Sequence, residues 1–473
     1  MATEQHLDPW NVSAGTDAEG KEKEFDYVAI SKQWNTKLLD KELLDRFEKL
    51  TGKKPHRWLR RGLFFSHRDF ELILNRYERG EPFFLYTGRG PSSDSMHIGH
   101  TIPFEFTKWL QDTFDVPLVI MLTDDEKALF KENLTLEDCM QFARDNAKDI
   151  ISMGFDKKKT FIYQDTKYFG GHMLLNAWEF SKAITFNQVR GAFGFDESTN
   201  VGRLFFPSLQ CVAAFATSYP EIWGDDPNSD LRSKKTAKIP CLIPCAIDQD
   251  PYFRLVRENC HRMRFPGPKP ALIHSKFLTA LQGAGGKMSA SNPNSAIFMA
   301  DTPNQIKKKI NQHAFSGGQE TLELHRELGG NPDIDVAYQY LTYFYEDDEK
   351  LKEIYDEYRS GKLLTGDLKK LCIELMQQYV KAFQEARALV TDEVLKEYMT
   401  PRRLEWKGNP NPIKVEPTAE EKEDEEPKEG KGKKGRKEKR QKEKDKKADA
   451  GKTEEKAEQL ELRPQGAMSK TEP

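Results

Sequence analysis

The sequence predicts an α/β protein: a doubly wound parallel sheet, then an α-helical bundle, then a charged and disordered C-terminal tail. Three observations carry this reading. From Pro82 onward, short apolar runs alternate with amphipathic helical stretches as far as about residue 277. One of these runs, residues 116–122 (VPLVIML), is apolar throughout, as a strand covered on both faces of a parallel sheet must be. After residue 292 good strands give out, and apolar residues at helical spacing stand among many Lys and Glu.

The elements follow in order. The first 25 or so residues are polar and expected to be loosely ordered outside residues 7–10 (LDPW). Residues 40–50 form a helix, because Leu43, Leu44, Phe47 and Leu50 recur at helical spacing and Gly52 stops it. Residues 53–61 are basic around a single aromatic, Trp58; they read equally as a solvated helix end or as a contact to RNA phosphates. A short strand at 83–86 runs into a Gly/Ser loop and a helix at 97–114. The strand at 116–122 is followed by a helix at 136–153, then strands at 160–163, 240–247 and 271–277 with helices between them. Residues 223–238, rich in Asp, Ser and Lys, read as a surface insertion. Further helices are expected at 306–310, 334–345, 350–358, 368–390 and 394–399, with Gly317-Gly318 and Gly329-Gly330 as breaks.

A chain of 473 residues has room for two or three domains with full cores. With 32% charged residues it reads as soluble, and no apolar run approaches the length that spans a bilayer. The acidic, polar N-terminus does not read as a secretion or transit signal, so a cytoplasmic protein is expected. Six scattered cysteines give no disulfide framework. Cys241 and Cys245, with Cys260-His261 nearby, invite a zinc site, but their apolar setting (IPCLIPC) favours ordinary core cysteines, and no structural metal is expected. The net charge of -3 hides segregation: 420–426 is acidic, whereas 431–447 holds eleven Lys/Arg against three Asp/Glu. Such blocks have almost no apolar surface to bury.

Open parallel sheets bind ligands at the carboxyl ends of their strands. Three such ends are unusually polar: Tyr86-Thr87-Gly88-Arg89, Thr123-Asp124-Asp125-Glu126-Lys127 and Asp248-Gln249-Asp250. Each alone could be a capped helix start; three on one edge favour a ligand cleft. His97 and His100 stand at i and i+3 of a helix start, where backbone N–H groups and the helix dipole favour an anion. Gly99 between them lets a flat base approach the backbone. Lys287-Met288-Ser289-Ala290-Ser291, after Gly283, Gly285 and Gly286, places a lysine and hydroxyls on a loosened loop suited to gripping a polyphosphate.

The HIGH sequence after a strand and a KMSAS loop roughly two hundred residues later together resemble the signature of class I aminoacyl-tRNA synthetases. YTGRGPSS, VPLVIMLTDDEK, TFNQVRGAFGF, PCAIDQDPYF, LQGAGGKMSAS and HAFSGG sharpen this to a resemblance to the cytoplasmic, eukaryotic-type tryptophanyl-tRNA synthetases, covering about residues 58–406. The resemblance implies a tryptophan–tRNA ligase that uses ATP with Mg2+ and L-tryptophan, charges tRNA(Trp), and is a homodimer without membrane attachment. It implies an N-terminal lead-in at 1–80, a Rossmann-type catalytic domain at 81–292, a helical anticodon-binding domain at 293–406 and the tail at 407–473. Tyr86 would read the indole N–H, and Glu126, Gln210 and Gln249 would hold the amino and carboxylate groups. Thr87, Gly88, His97, Gly99, His100, Lys287, Met288 and Ser289 would bind ATP, with His97, His100, Lys287 and Ser289 catalytic.

Three departures stand against the family pattern. Met121 replaces an expected glutamine, an extra N-terminal helical hairpin domain of some animal relatives is missing, and the charged tail is long. The rival readings are a tyrosyl-tRNA synthetase, which needs an acidic partner for a phenol hydroxyl, and an inactive RNA-binding or signalling relative, whose HIGH or KMSAS would have decayed.

Overall fold

The computed structural model describes residues 3–10, 12–20, 23–288, 292 and 294–408. The charged stretch from residue 409 onward lies outside the described residues, as do Ser289, Ala290, Ser291 and the side chain of Lys287. The described residues fall within one compact unit.

Seven strands make the central sheet: β1 (Lys37–Leu38), β2 (Phe64–Arg68), β3 (Phe84–Arg89), β4 (Leu118–Leu122), β5 (Thr160–Gln164), β6 (Cys241–Ala246) and β7 (Ala271–Ser275). Their spatial order is β1-β2-β7-β6-β3-β4-β5. The five strands from β7 to β5 are parallel, and β2 and β1 extend the β7 edge antiparallel. From β3 the chain winds outward through β4 and β5, then returns to β3's other side with β6 and β7. That reversal between β3 and β6 opens a crevice at their carboxyl ends. β4 is buried at every position, which is why its sequence carries no polar alternation.

The predicted elements stand at the predicted places, a residue or two shorter at some ends and up to three longer at others, as in Phe84–Arg89 and Pro303–His313. The Lys41–Thr51 helix starts where the Asp40 carboxylate accepts from Leu43 N at 2.8 Å and ends at Gly52 with φ 66°. The Ile98–Phe114 helix runs from His97 to Asp115, whose φ of 56° ends it. It buries Ile102, Phe106 and Leu110 against the sheet. β2 and the Phe70–Glu78 helix are additional to the predicted set. The lead-in therefore belongs to the sheet.

Beyond the sheet the chain is helical: Pro303–His313, Leu322–Leu328, Val336–Phe344, Asp348–Arg359, Thr365–Ala388 and Asp392–Met399. In the basic segment 53–61, Lys53 and Lys54 are exposed, but the arginines are engaged within the protein. Arg57 Nε and Trp58 Nε1 both donate to Tyr343 O, at 2.9 and 2.6 Å, and Arg60 and Arg61 pair with Asp348 at 2.6 and 2.7 Å. Trp58 is fully buried, so the segment is a clamp onto the helical region. Residues 223–238 lie mostly at the surface, as expected, and are pinned by Arg232, which is buried and donates to Asn176 Oδ1 at 2.5 Å. All six cysteines are buried, Cys241 and Cys245 among the aromatic side chains on one face of the sheet. They are core residues.

Candidate active site

A pocket of about 230 Å3 sits at the carboxyl ends of β3 and β6. The three polar strand ends meet there. Of the candidate residues, Tyr86, Thr87, Gly88, His97, Gly99, His100, Glu126, Gln210, Gln249 and Met288 all line it. Lys287 ends the Gly283–Lys287 strand, whose backbone pairs with Thr279, but its side chain and Ser289 are outside the described residues.

At the inner end the Tyr86 hydroxyl donates to Met121 Sδ at 3.2 Å and accepts from Gln210 Nε2 at 2.9 Å. Burial, reinforced by Tyr219 and Asp165, pushes the Tyr86 pKa well above its usual value, so the phenol stays protonated. Its hydrogen-bond partners among the described residues are a sulfur and an amide, with no carboxylate between them.

Glu126 lies in the first turn of the Asp124–Phe130 helix, where β4 ends. Its Oε2 accepts from the Thr123 hydroxyl at 2.7 Å, and Lys127 Nζ stands 3.0 Å from Oε1. The neighbouring carboxylates do other work. Asp124 is fully buried and accepts from Thr166 N at 3.1 Å and the Thr166 hydroxyl at 2.6 Å, holding β5's exit against β4's. Burial pushes Asp125 up to about 6, and burial together with the Asp125 charge raises Asp165 well above the usual carboxylate value.

Gln249 closes a short 3-10 turn, Ile247–Gln249, that leads into the Asp250–Asn259 helix. Asp250 fixes that turn. Its carboxylate receives Arg68 Nε and Nη2 at 2.7 and 2.8 Å, and His274 Nε2 lies at 3.1 Å, with Ser66 Oγ 2.9 Å from His274 Nδ1. Burial works to raise the Asp250 pKa, but the Arg68 and His274 hydrogen bonds outweigh it and hold it far below the carboxylate range.

The outer end is made by the helix start and the glycine-rich loop. The His97 and His100 rings stack with centroids 3.4 Å apart, and His97 N donates to His100 Nδ1 at 3.3 Å. Ile98 N donates to Ile297 O at 2.9 Å, which joins this helix start to the chain just past the KMSAS loop. A Cβ on Gly99 would stand 3.1 Å from Met288 Sδ and 3.2 Å from His97 Nδ1, so a larger residue there would press on both side chains. Two motifs nearly two hundred residues apart in sequence thus touch.

Sequence reasoning missed several residues here. Pro9 lines the pocket, and Trp10 behind it stacks on Phe130 at 4.7 Å and meets Tyr252 edge-on at 6.2 Å. That aromatic anchoring, with the His6–Leu7 and Val12–Ser13 hairpin, orders the stretch around 7–10 that the sequence set apart from its loosely ordered surroundings, though not its place at the pocket. Lys276 also lines the pocket, and burial lowers its pKa. Arg89 donates from Nε to Asn146 Oδ1 at 3.2 Å, and burial brings its pKa down to about 10. Arg89 and Lys127 were visible as charges at strand ends, whereas Arg68 and His274 gave no local signal.

The chain is similar to known proteins of one family. The family profile for class I tRNA synthetases (W and Y) matches residues 78–383. The chain is 57% identical to the cytoplasmic tryptophan–tRNA ligase of Schizosaccharomyces pombe over 404 residues, covering 85% of this chain and 99% of that one. It is 54% identical to the Saccharomyces cerevisiae counterpart over 421 residues, covering 89% and 95%. Its fold matches the crystal structure of the Plasmodium falciparum tryptophanyl-tRNA synthetase with a TM-score of 0.72 at 43% identity, covering 80% of this chain and 96% of that one.

Proposed function

The chain belongs to the class I tRNA synthetases of the tryptophan and tyrosine type, and we propose that the pocket above divides its labour between reading an amino acid and activating it. The activity is tryptophan–tRNA ligation, exercised in the cytoplasm as the names of the yeast relatives state. The tryptophan carboxylate attacks the α-phosphorus of ATP, a mixed anhydride forms, and pyrophosphate leaves. A terminal tRNA hydroxyl then attacks the carbonyl carbon and AMP departs. Neither step needs a covalent enzyme intermediate; the protein positions the partners and neutralises charge.

The observation that carries the division is the pocket's two unlike ends. Tyr86 reads the indole N–H, while Glu126, Gln210 and Gln249 hold the ammonium and carboxylate. Thr87, Gly88, Gly99 and Met288 receive the nucleotide, and His97, His100, Lys287 and Ser289 follow the phosphates as charge develops. Arg89 and Lys127 add positive charge to the same pocket. Magnesium enters as part of the ATP complex and neutralises phosphate charge. The tRNA is that for tryptophan, its anticodon met by the helical residues 293–406, while 1–80, 81–292 and 407–473 form the lead-in, the catalytic domain and the tail.

We take the working unit to be a homodimer. The exposed Leu175 and Trp178, one turn apart on the Gly171–Ala183 helix, and the exposed Phe186 just beyond it support an apolar contact there. The test of the whole reading is ATP–pyrophosphate exchange dependent on tryptophan, with tyrosine as control. Exchange with tryptophan alone is expected; equal exchange with tyrosine, or none with either, would overturn the reading.

A further inference from the structure

We propose that Met121 is a specificity-determining positioning residue: by accepting the Tyr86 hydroxyl proton, its thioether leaves the phenolic oxygen with acceptor capacity only toward the substrate ring. The inference rests on the tryptophan reading above and says how this chain achieves it without a second amide beside Tyr86.

Sheet register creates the contact. Tyr86 pairs with Val119 and Gly88 with Met121 across the parallel β3 and β4, so Tyr86 and Met121 are diagonal neighbours on one face. Gly88 lies beside both: a Cβ there would meet the Tyr86 hydroxyl and Met121 Cβ at an ordinary contact distance of 3.7 Å and Met121 O at 3.2 Å. Both side chains are fully enclosed, with Tyr86 1% and Met121 0% exposed, so the hydroxyl cannot turn to bulk water for a partner.

A phenol has one proton to donate and two lone pairs to accept with. Here the proton points to Met121 Sδ at 3.2 Å, and one lone pair takes Gln210 Nε2 at 2.9 Å. What remains is one acceptor position on a residue that lines the pocket. An indole N–H, which can only donate, satisfies it. A ring bearing sulfur or oxygen in place of the N–H leaves the lone pair unpaired or opposed, and that mismatch is a strong basis for rejection. Sulfur is a weak acceptor, yet it is the acceptor that sets which way the proton points. With an aliphatic side chain at 121, the hydroxyl proton would be released to swing into the pocket, where it opposes an incoming N–H and welcomes an acceptor. Gln210, by donating its amide nitrogen to Tyr86, keeps its carbonyl oxygen for the substrate ammonium.

A purely space-filling role for Met121 makes a different prediction, because leucine is close to isosteric with methionine. The test is kcat/KM in ATP–pyrophosphate exchange for tryptophan against 3-benzothienylalanine, whose ring sulfur replaces the N–H. The proteins compared are the unsubstituted chain, Met121→Leu, Met121→Gln, Tyr86→Phe and the Met121→Leu, Tyr86→Phe double variant. Met121→Leu should lower the tryptophan preference at least about five-fold, through the KM for tryptophan, and Met121→Gln, whose carbonyl can accept the proton, should keep it. With Tyr86→Phe already made, Met121→Leu should change the preference less than about two-fold, since the hydroxyl it acts through is gone. An unchanged preference in Met121→Leu, or an equal loss whether or not Tyr86 is replaced, would overturn the proposal. Should Met121→Leu fail to fold, Met121→Ile takes its place with the same expectations. If the unsubstituted protein shows no tryptophan-dependent exchange, the functional reading falls first and this inference with it; if exchange is present and the cycle is additive, only this inference falls.

Discussion

The two ends of the pocket are built from different materials. The amino-acid end stands on strands and helices whose polar groups already hold one another: Tyr86 with Met121 and Gln210, Glu126 with Thr123, and Asp250 with Arg68 and His274. The nucleotide end stands on a helix start and a glycine-rich hairpin, where stacked histidines meet a methionine sulfur across Gly99. On the proposed reading, the contrast separates selection from chemistry. Recognition needs groups whose orientation is settled before the ligand arrives. Phosphate transfer needs donors that can follow charge as it moves, and loop backbone without Cβ atoms permits that.

If the amino-acid end is preset, cutting one of its supports should injure the fold itself. Arg68→Ala leaves the fully buried Asp250 without its bidentate partner, and breaking such a pair costs about 3–5 kcal/mol. Chemical denaturation of the two proteins measures it. The pH dependence carries the same signature. Asp250 has its folded pKa depressed, so its contribution is present above the unfolded carboxylate value of about 3.9 and is lost as pH falls through the lower folded value. In Arg68→Ala the acid loss of stability should begin at higher pH. An unchanged denaturation midpoint and acid limb would remove Arg68 from the support of this end.

At the other end the effect should fall on rate. Lys287→Ala should slow single-turnover adenylate formation by at least about two orders of magnitude, in line with roughly 2.7–4 kcal/mol for lost preorganised charge. Tryptophan affinity should hardly move. A rate equal to that of the unsubstituted enzyme would take Lys287 out of the chemistry.

The sequence made much of this contrast legible, for definite physical reasons. Burial on both faces leaves a strand such as β4 no choice but an apolar run, so 116–122 announced itself. Polar strand ends are conspicuous against such runs, which is why Tyr86, Thr87, Gly88, Glu126 and Gln249 stood out and line one pocket; His97, Gly99, His100 and Met288 came from the two motifs, and Gln210, inside the Val201–Val212 helix, only from the family resemblance. Contacts distant in sequence left no local trace. Arg57, Arg60 and Arg61 looked like free basic charge until the helical region supplied Tyr343 O and Asp348. Trp10 looked like an isolated aromatic in a polar segment until Phe130 and Tyr252 closed around it. Arg68 and His274 meet Asp250 only because β2 and β7 lie side by side, and no spacing in the chain encodes that.

The smallest effects should come from outside the pocket. A chain ending at Lys414 should keep its tryptophan-dependent exchange, because the segment removed has no periodic apolar face. Its KM for tRNA should rise modestly at low salt and the difference should vanish at high salt, as expected for a basic block whose phosphate contacts each contribute about -0.7 to -0.9 to the salt slope. An identical KM for tRNA at low ionic strength would deny the tail any part in RNA binding.

The division of the pocket is tested most directly by the steady-state KM values for tryptophan and ATP in Glu126→Gln, measured by exchange at saturating concentrations of the other substrate. Removing the charge that faces the substrate ammonium costs about 1.5–3 kcal/mol, so the KM for tryptophan should rise by roughly ten-fold or more while the KM for ATP stays within about two-fold. A larger change for ATP than for tryptophan would contradict the account, because Glu126 would then serve the nucleotide.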